Sequence, residues 1–169
     1  EGDIALAARF AEAAVAARPD APGLMSFQIA IERDRGNLPV AISLAQKLSE
    51  DHPENDRYQF TLGALLDASG NREEAVITMR RAISLNPRNS EALNYLGYTF
   101  AEQGIRLEEA ESLILRALAL EPEDGFYLDS LGWVYFQQGR YARAIEKLER
   151  AVELTGNDPT IQEHLGDAY

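Results

Sequence analysis

Few side chains in this 169-residue chain have the type and spacing to do chemistry. His164 stands between Glu163 and Asp167, and an imidazole beside two carboxylates can be drawn as an acid–base or metal site. On a helix the simpler reading is a solvated polar face. His52 precedes Pro53 in a loop with no evident partner. Glu121, Glu123 and Asp124 surround Pro122, but their spacing does not match an EF-hand calcium loop. Cysteine is absent, which excludes disulfides and thiolate metal sites. No glycine run forms a phosphate cradle, since the glycines read as turn or packing sites. The expectation is a protein without catalytic residues, metal or cofactor.

The glycines instead keep time. Gly2, Gly36, Gly70, Gly104 and Gly139 recur at 34, 34, 34 and 35 residues, and Gly63, Gly97, Gly132 and Gly166 at 34, 35 and 34. Ala7, Ala41, Ala75, Ala110 and Ala144 follow the same beat, as do Pro19, Pro53, Pro87 and Pro122. A fixed period of this length signals stacked units, each burying its apolar face against its neighbours.

Residues 56–89 show the unit. Leu62, Gly63, Leu65 and Leu66 form the stripe of a first helix, and Gly70-Asn71 ends it, glycine readily adopting the left-handed conformation. Ala75, Val76, Met79, Ala82 and Ile83 form the stripe of a second helix, which stops before Asn86-Pro87. Gly63 lies inside a helix, where glycine costs about 1 kcal/mol relative to alanine. The expected compensation is close approach of the two helices, with Ala75 and Ala82 as the opposing small surfaces. The extra residue between Gly104 and Ala110 should lengthen the turn at Ile105–Leu107.

These offsets resemble the tetratricopeptide repeat. Leu93-x2-Leu96-Gly97-x2-Phe100 and Leu128-x2-Leu131-Gly132-x2-Tyr135 carry the first-helix half of its pattern, and Ala144-x3-Leu148-x2-Ala151 the second. Leucine replaces the leading aromatic, and Gly156 replaces a proline. The resemblance spans the chain and implies an all-α fold, a right-handed α-solenoid of antiparallel helix pairs. Residues 1–169 form one such array in this reading. Residues 1–19 are a second helix with Gly2 in the preceding turn, and 20–55 a degenerate repeat with Gln28 or Ile29 where glycine is expected. Residues 56–89, 90–124 and 125–158 are good repeats, and 159–169 a lone first helix. Such a count suggests a piece of a longer solenoid, or copies that self-associate through uncapped ends.

The resemblance also implies a concave groove lined by first helices. Its positions are Arg57, Phe60, Thr61, Ala64, Asp67 and Ala68, then Glu91, Asn94, Tyr95, Tyr98, Ala101 and Glu102. They continue through Phe126, Asp129, Ser130, Trp133, Phe136 and Gln137 to Thr160, Glu163, His164 and Asp167. Aromatic anchors among amides and carboxylates suit a protein or peptide partner. Trp133 and Tyr98 could equally pack on the next repeat and stiffen the array. Lys and Arg are nearly missing from these positions, which argues against a clamp for a C-terminal carboxylate. Asn94 alone does not make the asparagine ladder of the sugar-transferase arrays.

Composition narrows the partners. A net charge of −12 disfavours nucleic acid, which requires clustered cations, and also anionic membrane surfaces. No apolar run approaches the roughly 20 residues that would span a bilayer. The run from Asn94 to Ala101, with Arg106-Leu-Glu-Glu-Ala, Asp129-Ser-Leu-Gly-Trp-Val-Tyr and His164-Leu-Gly-Asp-Ala-Tyr, is similar to C-terminal parts of long Gram-negative tetratricopeptide lipoproteins. Some of these are outer-membrane adaptors for a C-terminal processing protease. That likeness implies a periplasmic or outer-membrane-anchored protein; without it a cytoplasmic one serves as well. Two functions stay open: a non-catalytic scaffold or adaptor, and a targeting array cut from a larger enzyme such as a glycosyltransferase.

Overall fold

The computed structural model describes residues 2–18, 21–156 and 158–169, with the side chains of 2–5, 7 and 8 outside that description; Pro19, one beat of the proline ruler, lies outside it too. Among the described residues the regular structure is entirely α-helical. Its ten helices are α1 (Gly2–Ala17), α2 (Pro22–Asp34), α3 (Leu38–Asp51), α4 (Asp56–Ala68), α5 (Arg72–Leu85), α6 (Ser90–Glu102), α7 (Leu107–Leu120), α8 (Gly125–Gln137), α9 (Tyr141–Thr155) and α10 (Pro159–Ala168). They fall into two compact units, residues 1–86 and residues 87–169. In the first, α2 packs with α3 and α4 with α5; in the second, α6 packs with α7, α8 with α9, and α10 against α9 and α8. The expected all-α architecture of helical hairpins is therefore present. Gly2 opens α1 rather than sitting in a turn.

Each hairpin turn is built by the same pair of hydrogen bonds. Gly70 takes φ +86°, its N–H donates to the Asp67 carbonyl, and the Asn71 N–H reaches back to Leu66. Gly139 and Arg140 do the same onto Phe136 and Tyr135. This is the Schellman closure, which satisfies carbonyls left over at a helix end. After Gly104 the extra residue is absorbed by Arg106, the one non-glycine residue with positive φ (49°) among the described residues, so the longer turn falls where the spacing placed it. Gly156, at φ +67°, closes α9 where a proline was replaced.

Four of the first helices also start alike, whereas α2 follows Ala21 with no side-chain cap. Asn55, Asn89, Asp124 and Asp158 each accept backbone N–H bonds from the opening turn of α4, α6, α8 and α10. Such a cap contributes about 1 kcal/mol. These four stand on the 34–35 residue beat, a signal that the glycine and proline rulers overshadow in the sequence.

Three helix-interior glycines, Gly63, Gly97 and Gly132, sit in close packing, but their partners differ from expectation. A Cβ on Gly97 would lie 2.6 Å from Ile114 Cγ1, and one on Gly132 2.6 Å from Leu148 Cγ. On Gly63 it would press on Met79 at 3.0–3.2 Å. The facing group is thus a large apolar side chain of the second helix. The ruled alanines contribute backbone instead: the Ala110 and Ala144 carbonyl oxygens lie 3.1 and 3.3 Å from those Cβ positions. One repeat earlier the sizes are exchanged. Ile29 stands in the glycine register and Ala45 in the Met79 register, and both are buried in one apolar cluster. Residues 20–55 therefore solve the same packing problem from the other side.

Candidate partner-binding face

Within residues 87–169, α6, α8 and α10 contribute the sequence-predicted site. A helix shows one face through residues three and four apart. Asn94, Tyr98 and Glu102 on α6, and Phe126, Asp129, Trp133 and Phe136 on α8, follow that spacing. Tyr98 and His164 rings lie 6.4 Å apart, so side chains of the first and last of these helices meet.

The centre is a buried polar pair. His164 Nδ1 lies 2.8 Å from Asp129 Oδ1, with the two residues only 8% and 7% exposed. His164 is therefore not on a solvated face, as its acidic flanks suggested. Burial pulls its pKa down, but the hydrogen bond and charge of Asp129, with Asp167 and Glu163 beyond, outweigh burial and raise it. Tyr98 is raised too, by burial first and then by Glu102 and Asp129. Around the pair, Trp133 stacks on His164 at 4.3 Å and on Phe136 at 4.8 Å, and Phe136 in turn touches Tyr141 at 5.7 Å. Much of the indole's stacking surface is thus taken up within the chain, so Trp133 is as much a strut between α8 and α10 as a contact point. Its buried Nε1 and the buried Oδ1 of Asn94 have no hydrogen-bond partner.

The remaining residues divide by exposure. Ser130 is buried, its hydroxyl donating to the Phe126 carbonyl, so neither it nor Asp129 offers a contact surface. Asn94, Tyr95, Tyr98, Phe136 and Gln137 are half-buried. Phe126, at 58% exposure, is an open aromatic side chain, and Glu102, Glu163 and Asp167 are exposed carboxylates. Among the described residues no group of His, Asp and Glu could hold a metal ion, and no helix is long and apolar enough to cross a membrane.

Residues 1–86 carry a different surface. There Ala30 and Ala64 occupy the register of Tyr98 and Trp133. A cavity of about 240 Å³ opens between α2 and α4, lined chiefly by Ile29, Ala30, Ala64, Leu65 and Ala68, with Phe60 and Arg33 also bordering it. Phe60, Ala64 and Ala68 are surface positions by spacing alone, but the hollow that two small residues leave emerges only in the structure.

Comparison with known proteins agrees with this geometry. A family model described as Tetratricopeptide repeat matches residues 31–83 and 60–125, and one described as TPR repeat matches 132–169. Among solved structures, the thermophilic TPR protein TTC0263 from Thermus thermophilus is 21% identical with a TM-score of 0.78, covering 99% of this chain and 91% of that one. Pseudomonas aeruginosa pilF is 27% identical with a TM-score of 0.78, over 90% and 69% of the respective chains. A chain of the Cut9–Hcn1 hetero-tetramer of the APC/C superposes with a TM-score of 0.87 at 19% identity, over 99% of this chain and 34% of its own. No curated protein matches, and the narrower likeness to adaptors of a C-terminal processing protease finds no support. Helical hairpins with Schellman turns, glycines buried under facing side chains and matches over residues 31–125 and 132–169 lead to one conclusion: the chain belongs to the tetratricopeptide repeat family.

Proposed function

We propose that the chain is a non-catalytic scaffold that docks a partner protein on the α6–α8–α10 face of residues 87–169. The tetratricopeptide fold itself suggests protein–protein interaction. The observation that carries the specific reading is Phe126, a large apolar side chain left mostly in solvent on the α8 face that also carries the half-buried Trp133. Aromatic side chains, Phe included, are enriched in protein interfaces, where a few anchors carry most of the binding energy. The buried His164–Asp129 pair and the Trp133 stack tie α8 to α10, and Tyr98 of α6 meets the His164 ring, so the face is organised before a partner arrives. The hetero-tetramer that contains one structural neighbour is consistent with such use of the fold.

The test is a Tyr98→Ala, Phe126→Ala double variant. Both side chains lie partly or mostly in solvent, so the variant should melt within a few degrees of the wild type. Its capture of partners from a lysate of the source organism should fall well below that of the wild type. Full capture by the folded double variant would remove this face from consideration.

A further inference from the structure

The charges of residues 87–169 are sorted by helix. Of the Lys and Arg residues there, none lies on α6, α8 or α10, while those three helices carry Glu91, Glu102, Asp129, Glu163 and Asp167. The cations sit in turns or on second helices and are largely occupied. Arg106 pairs with Glu109, Arg140 with Glu111, Lys147 with Glu146, and Arg150 with Glu123 and Glu153. Among the described residues Glu102, Glu163 and Asp167 make no ion pair. The first helices of residues 1–86 differ, since α2 carries Arg33 and α4 carries Arg57.

Unpaired carboxylates beside aromatic rings make a surface of one sign. Glu102 acts on the Tyr98 hydroxyl, and Asp167 and Glu163 act on the His164 ring, so carboxylates of α6 and α10 bear on adjoining aromatic groups. Even with His164 charged, its proton is matched by Asp129, and the outer carboxylates remain uncompensated. Complementary charge steers and orients a partner. A guanidinium or ammonium group also gains from lying over an aromatic face. An acidic or carboxylate-terminated peptide would be repelled here.

We infer that the occupant of the α6–α8–α10 face is a cationic peptide segment of a partner protein, placing an Arg or Lys side chain over Tyr98 between Glu102 and Asp167. The inference rests on the scaffold reading and adds the chemistry of the partner.

Trp133 is the chain's only tryptophan and lies on this face, so its emission reports occupancy. The probes are short capped peptides of alternating Arg and Gly, Gln and Gly, or Glu and Gly, titrated into the full chain, alongside a displayed library of random peptides. The Arg peptide should change Trp133 emission saturably and the Gln and Glu peptides should not. The change should weaken as added salt shortens the Debye length to about 8 Å and below. A Glu102→Gln, Asp167→Gln variant should bind the Arg peptide roughly tenfold more weakly. A Glu108→Gln, Glu146→Gln variant, equal in charge but altered on α7 and α9, should bind as the wild type does. Equal weakening in both variants would mean attraction to net charge alone and would overturn the inference. If the Arg peptide fails while neutral or acidic library peptides shift Trp133, the cationic partner is wrong and the scaffold reading survives. If no peptide of any charge reaches Trp133, both fall.

Discussion

The Nδ1–H of His164 on α10 donates to Asp129 Oδ1 on α8 across 2.8 Å, in a setting where both side chains are nearly out of water. The pair links two first helices, its members 35 residues apart in sequence. A buried donor or acceptor that loses its partner costs about 1–3 kcal/mol, so this bond has a measurable share in docking α10.

Its pH dependence follows from the raised imidazole pKa. A folded-state value above the unfolded one, near 6.5, stabilises the fold fully below that pH. The contribution is lost as pH rises through the raised folded value. Thermal melts across this range should show the wild type losing stability that His164→Gln does not lose. Parallel curves for the two proteins would show that His164 is not charged in the folded state.

The glycine contacts predict opposite outcomes at two equivalent positions. Gly97→Leu should lower unfolding free energy by about 1–3 kcal/mol, because Ile114 and the Ala110 carbonyl leave no room. Gly166 has the same register, but a Cβ there meets nothing within 4 Å. Gly166→Ala should therefore be neutral or stabilise by up to about 1 kcal/mol, the helix propensity difference. Urea denaturation of both variants decides, and a loss at Gly166 equal to that at Gly97 would refute the packing account.

The exchanged pair Ile29 and Ala45 can be exchanged back. Ile29→Gly alone should cost about 3 kcal/mol or more, from the cavity and from glycine in a helix. Adding Ala45→Met should recover a substantial part, giving a coupling of about 1 kcal/mol or more in a double-mutant cycle. Simple additivity would show that the two positions do not share one space.

Much of this structure could be read from residue spacing, because helix ends are punctuated. Gly70-Asn71, Asn86-Pro87 and the extra residue before Ala110 each fall where a helix stops or a turn lengthens. What escaped was identity across the gap. Gly97 and Gly132 were visible as close-packing sites, yet the facing residue changes among Met79, Ile114 and Leu148, so no constant letter marks it. The alanines recur, but Ala110 and Ala144 meet the glycines through backbone that any residue type would supply. The flanking Glu163 and Asp167 make His164 read as solvated, and only the repeat register, which sets Ser130 and its neighbour Asp129 one unit earlier, points to a buried partner.

The turn at Arg106 predicts tolerance of a deletion. Left-handed backbone costs a non-glycine residue about 1–2 kcal/mol. Deleting Ile105, which is exposed, would leave Gly104-Arg106-Leu107 with the length and pattern of Gly139-Arg140-Tyr141. The deletion should leave unfolding free energy unchanged within about 1 kcal/mol or raise it. Loss of several kcal/mol in chemical denaturation would mean that the longer turn is required for α6 and α7 to meet.

Because each helix packs chiefly on those next to it in the chain, few contacts wait on the closure of a long loop. Chains of such low contact order fold in microseconds to milliseconds, and order can begin in any hairpin and spread to its neighbours. A damaged hairpin would then open by itself while distant ones keep their protection from hydrogen exchange, so that injury to this molecule stays where it was inflicted.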